Sequence, residues 1–453
     1  MGLIRFLKRL LFGRVDSAPE SMSPQAIGES ADATSTPHSA LEPSHRAPTG
    51  SSSSTRPRRQ RERPPRTNIP RLRYETTLVP TPRSQELSDS KPYAFAVVGP
   101  FTGQYLDLST DGDPRWLEYY GLPNLATPAD LADWLEMPLG RLAWLTWRGQ
   151  EGWKPPSEEK AHYVYTWKKK KSGGWRLIES PKPHLKAAQT RILREILDRV
   201  PAHPAAHGFV RGRSIVTNAA PHVGQHVLLK IDLENFYTSV RYSRVVAIYR
   251  SLGFSREVAI WLTRLTTTVV PWNLNAPDGR MSTLTPYLSQ HLPQGAPTSP
   301  ALANLSAFAL DVRMTGLARK YHLVYTRYAD DLTFSGSART IPALREIVPL
   351  TTRIIRSQRF RVHRRKRTFQ RSSQQQSVTG IVVNSHLNIA RRDFDRLKAI
   401  LHNCVKHGPS RQNRDDRPDF AAHLRGRVMH VMQVNANRGE KLLRLYDQID
   451  WTR

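Results

Sequence analysis

Tyr328-Ala329-Asp330-Asp331 places two adjacent carboxylates between two apolar, β-rich runs, Leu323-Val324-Tyr325 and Leu332-Thr333-Phe334. This pattern predicts a β-hairpin with an acidic tip. Because neighbouring residues of a strand face opposite sides, at least one of the two carboxylates must stay solvated or bind a cation. A hard divalent ion such as Mg²⁺ is the natural partner of these oxygens, whereas an isolated pair would more often be an exposed turn.

A second apolar run, residues 227–231, ends in Asp232 and is followed by Phe236-Tyr237. This arrangement would bring a third carboxylate to the same edge of a sheet. Three such carboxylates can hold two Mg²⁺, one activating a 3′-hydroxyl and the other steadying the leaving pyrophosphate. The two motifs together predict nucleotidyl transfer, with Asp232, Asp330 and Asp331 as catalytic metal ligands and Mn²⁺ as a substitute ion.

The order of motifs resembles that of a reverse transcriptase, and most closely the bacterial retron type, from about His162 to the C-terminus. Asn218-Ala219-Ala220-Pro221-His222 and Val378-Thr379-Gly380 match two retron signatures, and residues 292–300 match the motif between them. The resemblance implies an enzyme that copies a dedicated non-coding RNA encoded nearby. It further implies priming from the 2′-hydroxyl of an internal guanosine, a branched RNA–DNA product (msDNA) and a setting in anti-phage defence.

The resemblance also implies roles for single residues. Tyr237 matches the aromatic gate that would clash with a 2′-hydroxyl and so predicts dNTPs as substrates, while Lys366 resembles the lysine that protonates the leaving pyrophosphate. Gly295 is expected to let the backbone approach the template and the nascent base pair. The residues expected at the nucleotide are Lys169, Arg176, Asn235, Phe236, Tyr237, Gln294 and Gly295. Those expected at the RNA or template are Arg211, Arg213, Asn218, His222, Val378, Thr379 and Gly380.

The charge of the chain predicts a polyanionic partner, since 68 Lys and Arg against 38 Asp and Glu give a net charge of +30. Phosphate neutralisation by Lys and Arg releases counterions, so RNA affinity should fall steeply with salt. Selectivity for one RNA must then come from its shape and its unstacked bases. The expected partners are a cognate structured non-coding RNA, the RNA–DNA hybrid product and dNTPs, with an effector or toxin protein as a further candidate.

Residues 1–90 are predicted to form a disordered, basic, Ser- and Pro-rich arm. Across residues 31–60, Ser, Thr and Pro occupy 15 of 30 positions, which is too polar to offset the entropy lost on ordering. A cluster of six arginines between Arg56 and Arg66 is either a nucleic-acid tether or a solubilising run. The first residues can form a short amphipathic helix that docks on a membrane surface or a partner.

The remaining chain predicts an α+β, right-hand polymerase fold with fingers, an antiparallel palm sheet backed by helices, and a helical thumb. Near-helical spacing of Trp and Leu predicts a small helical accessory region at residues 91–150, which should pack on the fingers, with RNA contact as the alternative. Residues 151–385 are assigned to fingers and palm. Residues 386–453 carry three Leu/Val stripes, which predict the three helices of the thumb.

Composition excludes several other classes. The single cysteine, Cys404, excludes an internal disulfide and a Cys-rich zinc site, which fits a reducing cytoplasm. No run of about 18 apolar residues occurs, so no transmembrane segment is predicted. Two alternatives stay open: another bacterial reverse-transcriptase lineage (diversity-generating, intron-associated or template-independent), and a non-catalytic RNA-binding scaffold on a polymerase fold.

Overall fold

The computed structural model describes residues 86–99, 102–147, 154–170 and 173–452. Most of the predicted N-terminal arm, with its arginine cluster and amphipathic segment, lies outside these residues. The strands are β1 (Glu86–Ser88), β2 (Val97–Val98), β3 (Tyr105–Asp107), β4 (Tyr163–Lys169), β5 (Trp175–Pro181), β6 (Val227–Glu234), β7 (Val324–Tyr328), β8 (Asp331–Gly336), β9 (Arg361–Val362), β10 (Thr368–Arg371), β11 (Ser377–Val378) and β12 (Ile381–Val382).

The helices of the described residues follow the same chain order. They are α1 (Pro114–Tyr120), α2 (Pro128–Trp134), α3 (Leu139–Leu145), α4 (Pro183–Glu195), α5 (Ile215–Ala219), α6 (Tyr242–Ser251), α7 (Arg256–Thr266), α8 (Met281–Leu284), α9 (Ser299–Ser306), α10 (Phe308–Lys320), α11 (Leu344–Ser357), α12 (Arg391–His407), α13 (Phe420–Val434) and α14 (Ala436–Tyr446). Short 3₁₀ turns include Ala220–His222 and Arg364–Lys366. None of these helices is long and apolar enough to cross a membrane.

An antiparallel sheet forms the centre of the palm. Its strand order is β10-β6-β8-β7, and β9 pairs with the far end of β6. Strand β6 is buried along almost its whole length, which fits the apolar run Val227-Leu228-Leu229 at its start. The acidic hairpin is confirmed as β7 and β8, and their turn is made possible by Ala329 in the left-handed region, at φ 54°. The predicted α+β fold with an antiparallel palm sheet is therefore confirmed.

Strands β4 and β5 form a separate antiparallel hairpin at the position expected for the fingers. One side of this hairpin packs through the buried Leu177 against Val270, Leu274 and Tyr287. The loop that follows Leu284 also fixes the hairpin by a hydrogen bond, since the Tyr287 hydroxyl accepts from the Leu177 amide at 3.2 Å. The hairpin is thus held against the loops that lead into α9.

The accessory region differs from its prediction. Helices α1 to α3 occupy the stretch where Trp and Leu recur at helical spacing, but strands β1 to β3 form a three-stranded antiparallel sheet in front of them. These strands are two or three residues long, too short to show an alternating pattern in the sequence. The region is therefore mixed rather than helical.

The accessory region packs on helices α6 and α7. Asp111 accepts ion pairs from Arg250 at 2.8 Å and Arg256 at 3.1 Å, and all three side chains are largely buried. The ring of Phe95 meets the buried Trp261 edge-on at 5.7 Å. The region also contacts the segments at β4 and α4, since the Trp144 and His162 ring centroids lie 4.3 Å apart and Arg191 pairs with Glu136 at 2.7 Å. Its expected packing on the fingers stays a prediction.

Three helices form the thumb, as the Leu/Val stripes predicted. Buried residues from α12, α13 and α14, including Leu401, Leu424 and Leu442, make one apolar cluster. Cys404 lies in the same cluster and is buried, so it serves packing. Gly439 lets α14 approach the backbone of Met432 in α13 so closely that a Cβ there would clash.

His222 fastens the 3₁₀ turn Ala220–His222 to the palm sheet. Its Nδ1 lies 2.6 Å from Ser335 Oγ and its Nε2 lies 2.8 Å from Thr326 Oγ1, on the neighbouring strands β8 and β7. The ring is fully buried, and this burial, with the nearby His207, lowers the pKa of His222 to about 3. The neutral imidazole is therefore the form that fits this site.

We predict that His222 makes the stability of the protein fall in mild acid. Its folded-state pKa is depressed, so its contribution is complete above the unfolded pKa of about 6.5 and is lost as the pH falls towards 3. Between pH 6.5 and 4.5, the free energy of unfolding of the wild type should fall by about 1.4 kcal/mol per pH unit more steeply than that of His222→Asn. Urea unfolding at several pH values measures both slopes, and equal slopes would contradict the assignment.

Candidate active site

Two neighbouring strands bring the predicted carboxylates together. In the register of β6 and β8, Asp232 stands directly opposite Asp331, and Asp330 lies in the turn that precedes β8. Burial and the negative charges of Asp330 and Asp232 raise the pKa of Asp331 to about 6. Burial and the charge of Asp232 also raise the pKa of Asp330. The three carboxylates therefore lie close enough to repel one another.

Lys366 supplies a positive charge to this cluster. Its Nζ donates to Asp232 Oδ2 at 3.0 Å. The 3₁₀ turn that contains Lys366 is anchored at its start, because the His363 amide donates to the Asp232 carbonyl at 2.8 Å. The Lys366 side chain is 47% exposed, so water screens much of this ion pair. The structure thus places the predicted general acid beside the predicted metal ligands.

The donor set fits a divalent cation, although it is not arranged around one. Within the described ranges, no three carboxylate, histidine or cysteine side chains converge in a geometry that could already hold a metal ion. Repulsion among the aspartates and the pairing of Asp232 with Lys366 account for this spread. Burial and the neighbouring carboxylates raise the pKa of Asp330 and of Asp331, and such hard carboxylate oxygens suit Mg²⁺.

Arg327 holds the acidic turn from beneath. Its guanidinium is fully buried and donates through Nε and Nη2 to both carboxylate oxygens of Asp311, at 2.8 and 2.7 Å. Its Nη1 donates to the Ala329 carbonyl at 2.9 Å and to Asn304 Oδ1 at 3.0 Å. One side chain therefore links the turn that carries Asp330 to helices α9 and α10.

The segment before Arg211 lies directly against the acidic turn. Residues 205–207 pair with Arg327, whose amide donates to the Ala205 carbonyl at 2.7 Å and whose carbonyl accepts from the His207 amide at 2.8 Å. The next residue, Gly208, approaches so closely that a Cβ would lie 2.6 Å from the Ala329 amide nitrogen. Glycine is required here by contact between two backbones.

The fingers hairpin brings Lys170 and Arg176 to the carboxylates, whereas the expected nucleotide contact of Lys169 stays a prediction. Lys168 stands opposite Arg176 in the hairpin, so Lys170 follows on their face while Lys169 projects from the other. Burial and the charges of Arg176 and Lys366 lower the pKa of Lys170, which also feels Asp232. The positive charge of Arg176 in turn acts on Asp330.

Tyr237 lies within the same group of residues. Burial and the charge of Asp330 raise the pKa of its hydroxyl to about 12, and the charge of Arg176 acts on it in the opposite direction. Phe236 is buried and packs on Phe360, with ring centroids 5.7 Å apart. Asn235 is exposed and adopts φ 52°, in the left-handed region that Asn tolerates. Phe236 is therefore a packing residue, whereas Tyr237 faces the charged site.

Gly295 lies against the fingers hairpin, and its expected approach to a template stays a prediction. Its φ of 144° is a conformation open to glycine, and a Cβ would lie 2.8 Å from the Glu179 carbonyl oxygen of β5. Gln294 is half-buried beside it, and its carbonyl accepts from the Glu179 amide at 2.9 Å. The close approach that Gly295 allows is therefore to the fingers hairpin.

Several residues predicted at the RNA are buried and cannot present their side chains to a template in this structure. Asn218, His222 and Val378 are at most 1% exposed. Val378 packs in one cluster with Ala219, and the Thr379 hydroxyl donates to the Ile215 carbonyl at 3.3 Å. The two signatures therefore pack on each other, and the apolar cluster they share explains their burial.

The other predicted RNA residues are accessible. Arg211 and Arg213 are exposed on the turn that precedes α5, and Gly380 is exposed at the β11–β12 turn with φ 86°. Thr379, also at that turn, is half-buried with φ 47°. Arginines on an exposed turn are free to meet phosphate oxygens.

Two important residues escaped the sequence reasoning. Arg327 and Asp311 carried no signal, because an arginine within a strand and an aspartate within a helix are usually exposed. Their pairing depends on the packing of α10 against β7, which is a tertiary contact.

We predict that Arg327→Met lowers the free energy of unfolding by roughly 3–5 kcal/mol, because it leaves the Asp311 carboxylate buried without its cation. The double variant Arg327→Met/Asp311→Leu should recover much of this loss. Arg194→Gln, which removes an exposed ion pair to Asp198, is the control and should cost less than about 1 kcal/mol. Urea unfolding followed by Trp fluorescence measures all three, and a single variant no worse than the control would refute the role of this network.

Comparison with known proteins agrees with this site. The family described as reverse transcriptase (RNA-dependent DNA polymerase) matches residues 168–383. The retron Mx65 reverse transcriptase of Myxococcus xanthus is 39% identical over 73% of this chain and 74% of its own length. The retron Mx162 enzyme of the same organism is 34% identical over 73% and 69%, and the retron Ec86 enzyme of Escherichia coli 31% over 63% and 81%.

Solved structures add little to these matches. Telomerase from Candida albicans, solved with a fragment of telomeric RNA, aligns with 80% of this chain and 62% of that chain at 11% identity. Its TM-score of 0.39 is too low to carry an argument. The sequence relatives decide the family: the chain belongs to the retron reverse transcriptases and is an RNA-directed DNA polymerase.

Proposed function

We propose that this polymerase copies a cognate structured non-coding RNA into the DNA part of a branched RNA–DNA molecule, with Mg²⁺ as its metal and dNTPs as its substrates. The observation that carries the chemistry is the register that sets Asp232 opposite Asp331, with Asp330 in the adjoining turn. Likeness to retron enzymes supports the choice of RNA, and the net charge of +30 supports a nucleic-acid partner.

The carboxylates Asp232, Asp330 and Asp331 would bind the metal ions of the reaction. When bound, Mg²⁺ supplies activation of the attacking hydroxyl and neutralises charge on the leaving pyrophosphate. The primer hydroxyl oxygen forms a bond to the α-phosphorus as the bond to pyrophosphate breaks. Lys366, already within hydrogen-bond distance of Asp232, would leave that carboxylate and give a proton to the pyrophosphate oxygen.

The incoming nucleotide would be held by residues from two elements. Lys170 and Arg176, on one face of the fingers hairpin, would bind the triphosphate, because their charges already act at the carboxylate cluster. Tyr237, whose raised pKa keeps its hydroxyl neutral, would lie under the sugar and exclude a 2′-hydroxyl. This arrangement favours dNTPs over NTPs.

The choice of RNA would come from the thumb and from exposed arginines. Arg211 and Arg213 would contact template phosphates, and the buried signatures would act by fixing the segments around them. We place the first bond at the 2′-hydroxyl of an internal guanosine of that RNA, as the retron likeness suggests. Anti-phage defence, an effector or toxin partner and a cytoplasmic location, where transcripts and dNTPs occur, complete the proposal.

The test is dNTP incorporation by purified protein, with and without its co-expressed flanking RNA, in Mg²⁺. Wild type should extend DNA on that RNA, and ribonuclease digestion should leave a DNA still joined to one ribonucleotide through a 2′ linkage. Asp330→Asn should reduce incorporation about 10³-fold or more because it removes a metal-binding charge. Asp447→Asn, an exposed aspartate after α14, is the matched control and should keep wild-type activity.

Two outcomes would each overturn part of this proposal. Activity that survives in Asp330→Asn would remove the carboxylates from the catalytic role. Linear products on any RNA, with no 2′ linkage, would leave a reverse transcriptase of another lineage. The two readouts are independent, so catalysis and priming are tested separately.

The two neighbouring lysines of the fingers should affect the KM for dNTP differently. Lys170→Ala should raise the KM for dNTP about tenfold, because it removes a charge-assisted contact to the triphosphate. Lys169→Ala, on the opposite face of the same strand, should change KM by less than about twofold. Steady-state incorporation at varied dNTP concentration measures both, and equal effects would contradict the assignment by strand face.

A further inference from the structure

A second charged cavity lies beside the carboxylate cluster. Its volume is about 350 Å³, and its lining includes Glu234, Arg241, Ser243, Arg244, Arg359 and Arg361. Glu234, at the end of β6, lies two residues after Asp232, and Arg361, in β9, lies shortly before the turn that contains Lys366. Asn235, expected at the nucleotide, also lines it, whereas Lys170, Arg176, Tyr237 and Lys366 do not, so the cavity adjoins the nucleotide site proposed above.

The cavity carries an excess of positive charge. Four arginines from two parts of the chain line it together with a single carboxylate, that of Glu234. Arg361 stands opposite Glu234 in the pairing of β9 with β6, yet no carboxylate of the described residues lies within ion-pairing distance of Arg241, Arg359 or Arg361. Burial and the charge of Arg361 lower the pKa of Arg241. Bringing these charges together is unfavourable unless an anion joins them.

Backbone and side-chain groups around the cavity are already positioned for an anion. Helix α6 begins at Tyr242, and its N-cap, Arg241, provides no side-chain acceptor for the first turn. Ser243 and Arg244, in that turn, line the cavity. The Arg244 guanidinium is held in place, since Nη2 donates to the Gln358 carbonyl at 2.9 Å and the group packs 5.0 Å from the Phe360 ring centroid. The Tyr242 and Arg244 amides already donate to the Gln290 and Arg241 carbonyls, so this ten-residue helix would favour an anion through its dipole.

We propose that this cavity is a second phosphate site that binds a free polyphosphate, meaning pyrophosphate or the triphosphate of a nucleotide. A half-open cavity of about 350 Å³ has room for a small anion such as pyrophosphate or a nucleotide triphosphate. Guanidinium groups from several directions suit a terminal phosphate, which offers three oxygens. The site would receive the leaving pyrophosphate or hold a waiting nucleotide, a role that rests on the function proposed above, whereas the binding itself does not.

Calorimetric titration of the full chain with tripolyphosphate and with pyrophosphate tests the binding. EDTA in the buffer keeps divalent ions from recruiting either anion to the carboxylates, and about 0.3 M KCl suppresses diffuse binding to the basic surface. Wild type should bind one anion per chain. Arg241→Gln and Arg359→Gln should each weaken binding about tenfold, because each removes a charged donor. Two other variants, Lys170→Gln in the nucleotide site and Arg339→Gln on the exposed surface, should bind as wild type does.

Three results would overturn the proposal. The first is the absence of saturable binding, and the second is binding that is lost in Lys170→Gln but kept in Arg359→Gln. The third is displacement of the anion by an equal concentration of an oligonucleotide without terminal phosphates, which would make the ligand a backbone phosphodiester. Arg359 is exposed, so Arg359→Gln remains informative if Arg241→Gln fails to fold, and thermal unfolding of each variant monitors this. Binding in EDTA needs no polymerase activity, so its outcome is independent of whether the proposed RNA and priming are correct.

Discussion

The buried ion pair between Arg327 and Asp311 is the constraint on which the catalytic end of the palm depends. A two-residue turn that carries Asp330 cannot fix its own geometry beside two other negative charges. Arg327 provides the missing support, because its guanidinium binds the turn at the Ala329 carbonyl while the Asp311 carboxylate neutralises its charge. Removing two ions from water is costly, and the multiple short hydrogen bonds offset that cost only while every partner is present. The acidic turn is thereby tied to the helices behind the sheet.

Local patterns predicted the features that depend on local sequence. The acidic hairpin follows from two β-rich runs around a polar tip, and the thumb helices follow from Leu and Val at helical spacing. Features that depend on tertiary packing could not be predicted in this way. Gly295 lies against the backbone of Glu179, more than a hundred positions earlier in the chain, and no local pattern indicates that contact. The face of the fingers hairpin on which each lysine lies likewise depends on the strand register, which only the paired hairpin provides.

The two retron signatures are best understood as internal parts of the molecule. Ala219 and Val378 share one apolar cluster with Val434, at the end of helix α13 of the thumb. Asn435, which follows at once, donates from Nδ2 to the Leu387 carbonyl at 3.5 Å. The cluster therefore joins the turn before β6, the hairpin after β10 and the thumb. Sequence motifs that mark a lineage need not touch its substrate, since they can specify how the parts that do are placed relative to one another.

The pairing of Lys366 with Asp232 gives the resting protein an internal counter-ion. Before any substrate arrives, the Lys366 ammonium group lies beside the Asp232 carboxylate, which in the proposed mechanism would later bind a metal ion. In the proposed mechanism, each catalytic cycle would include an exchange of charges in which the lysine is displaced from the aspartate and becomes available to donate its proton. The general acid would thus become available only when the metal ion and the substrate bind at the site. An idle enzyme of this design keeps its most reactive group neutralised.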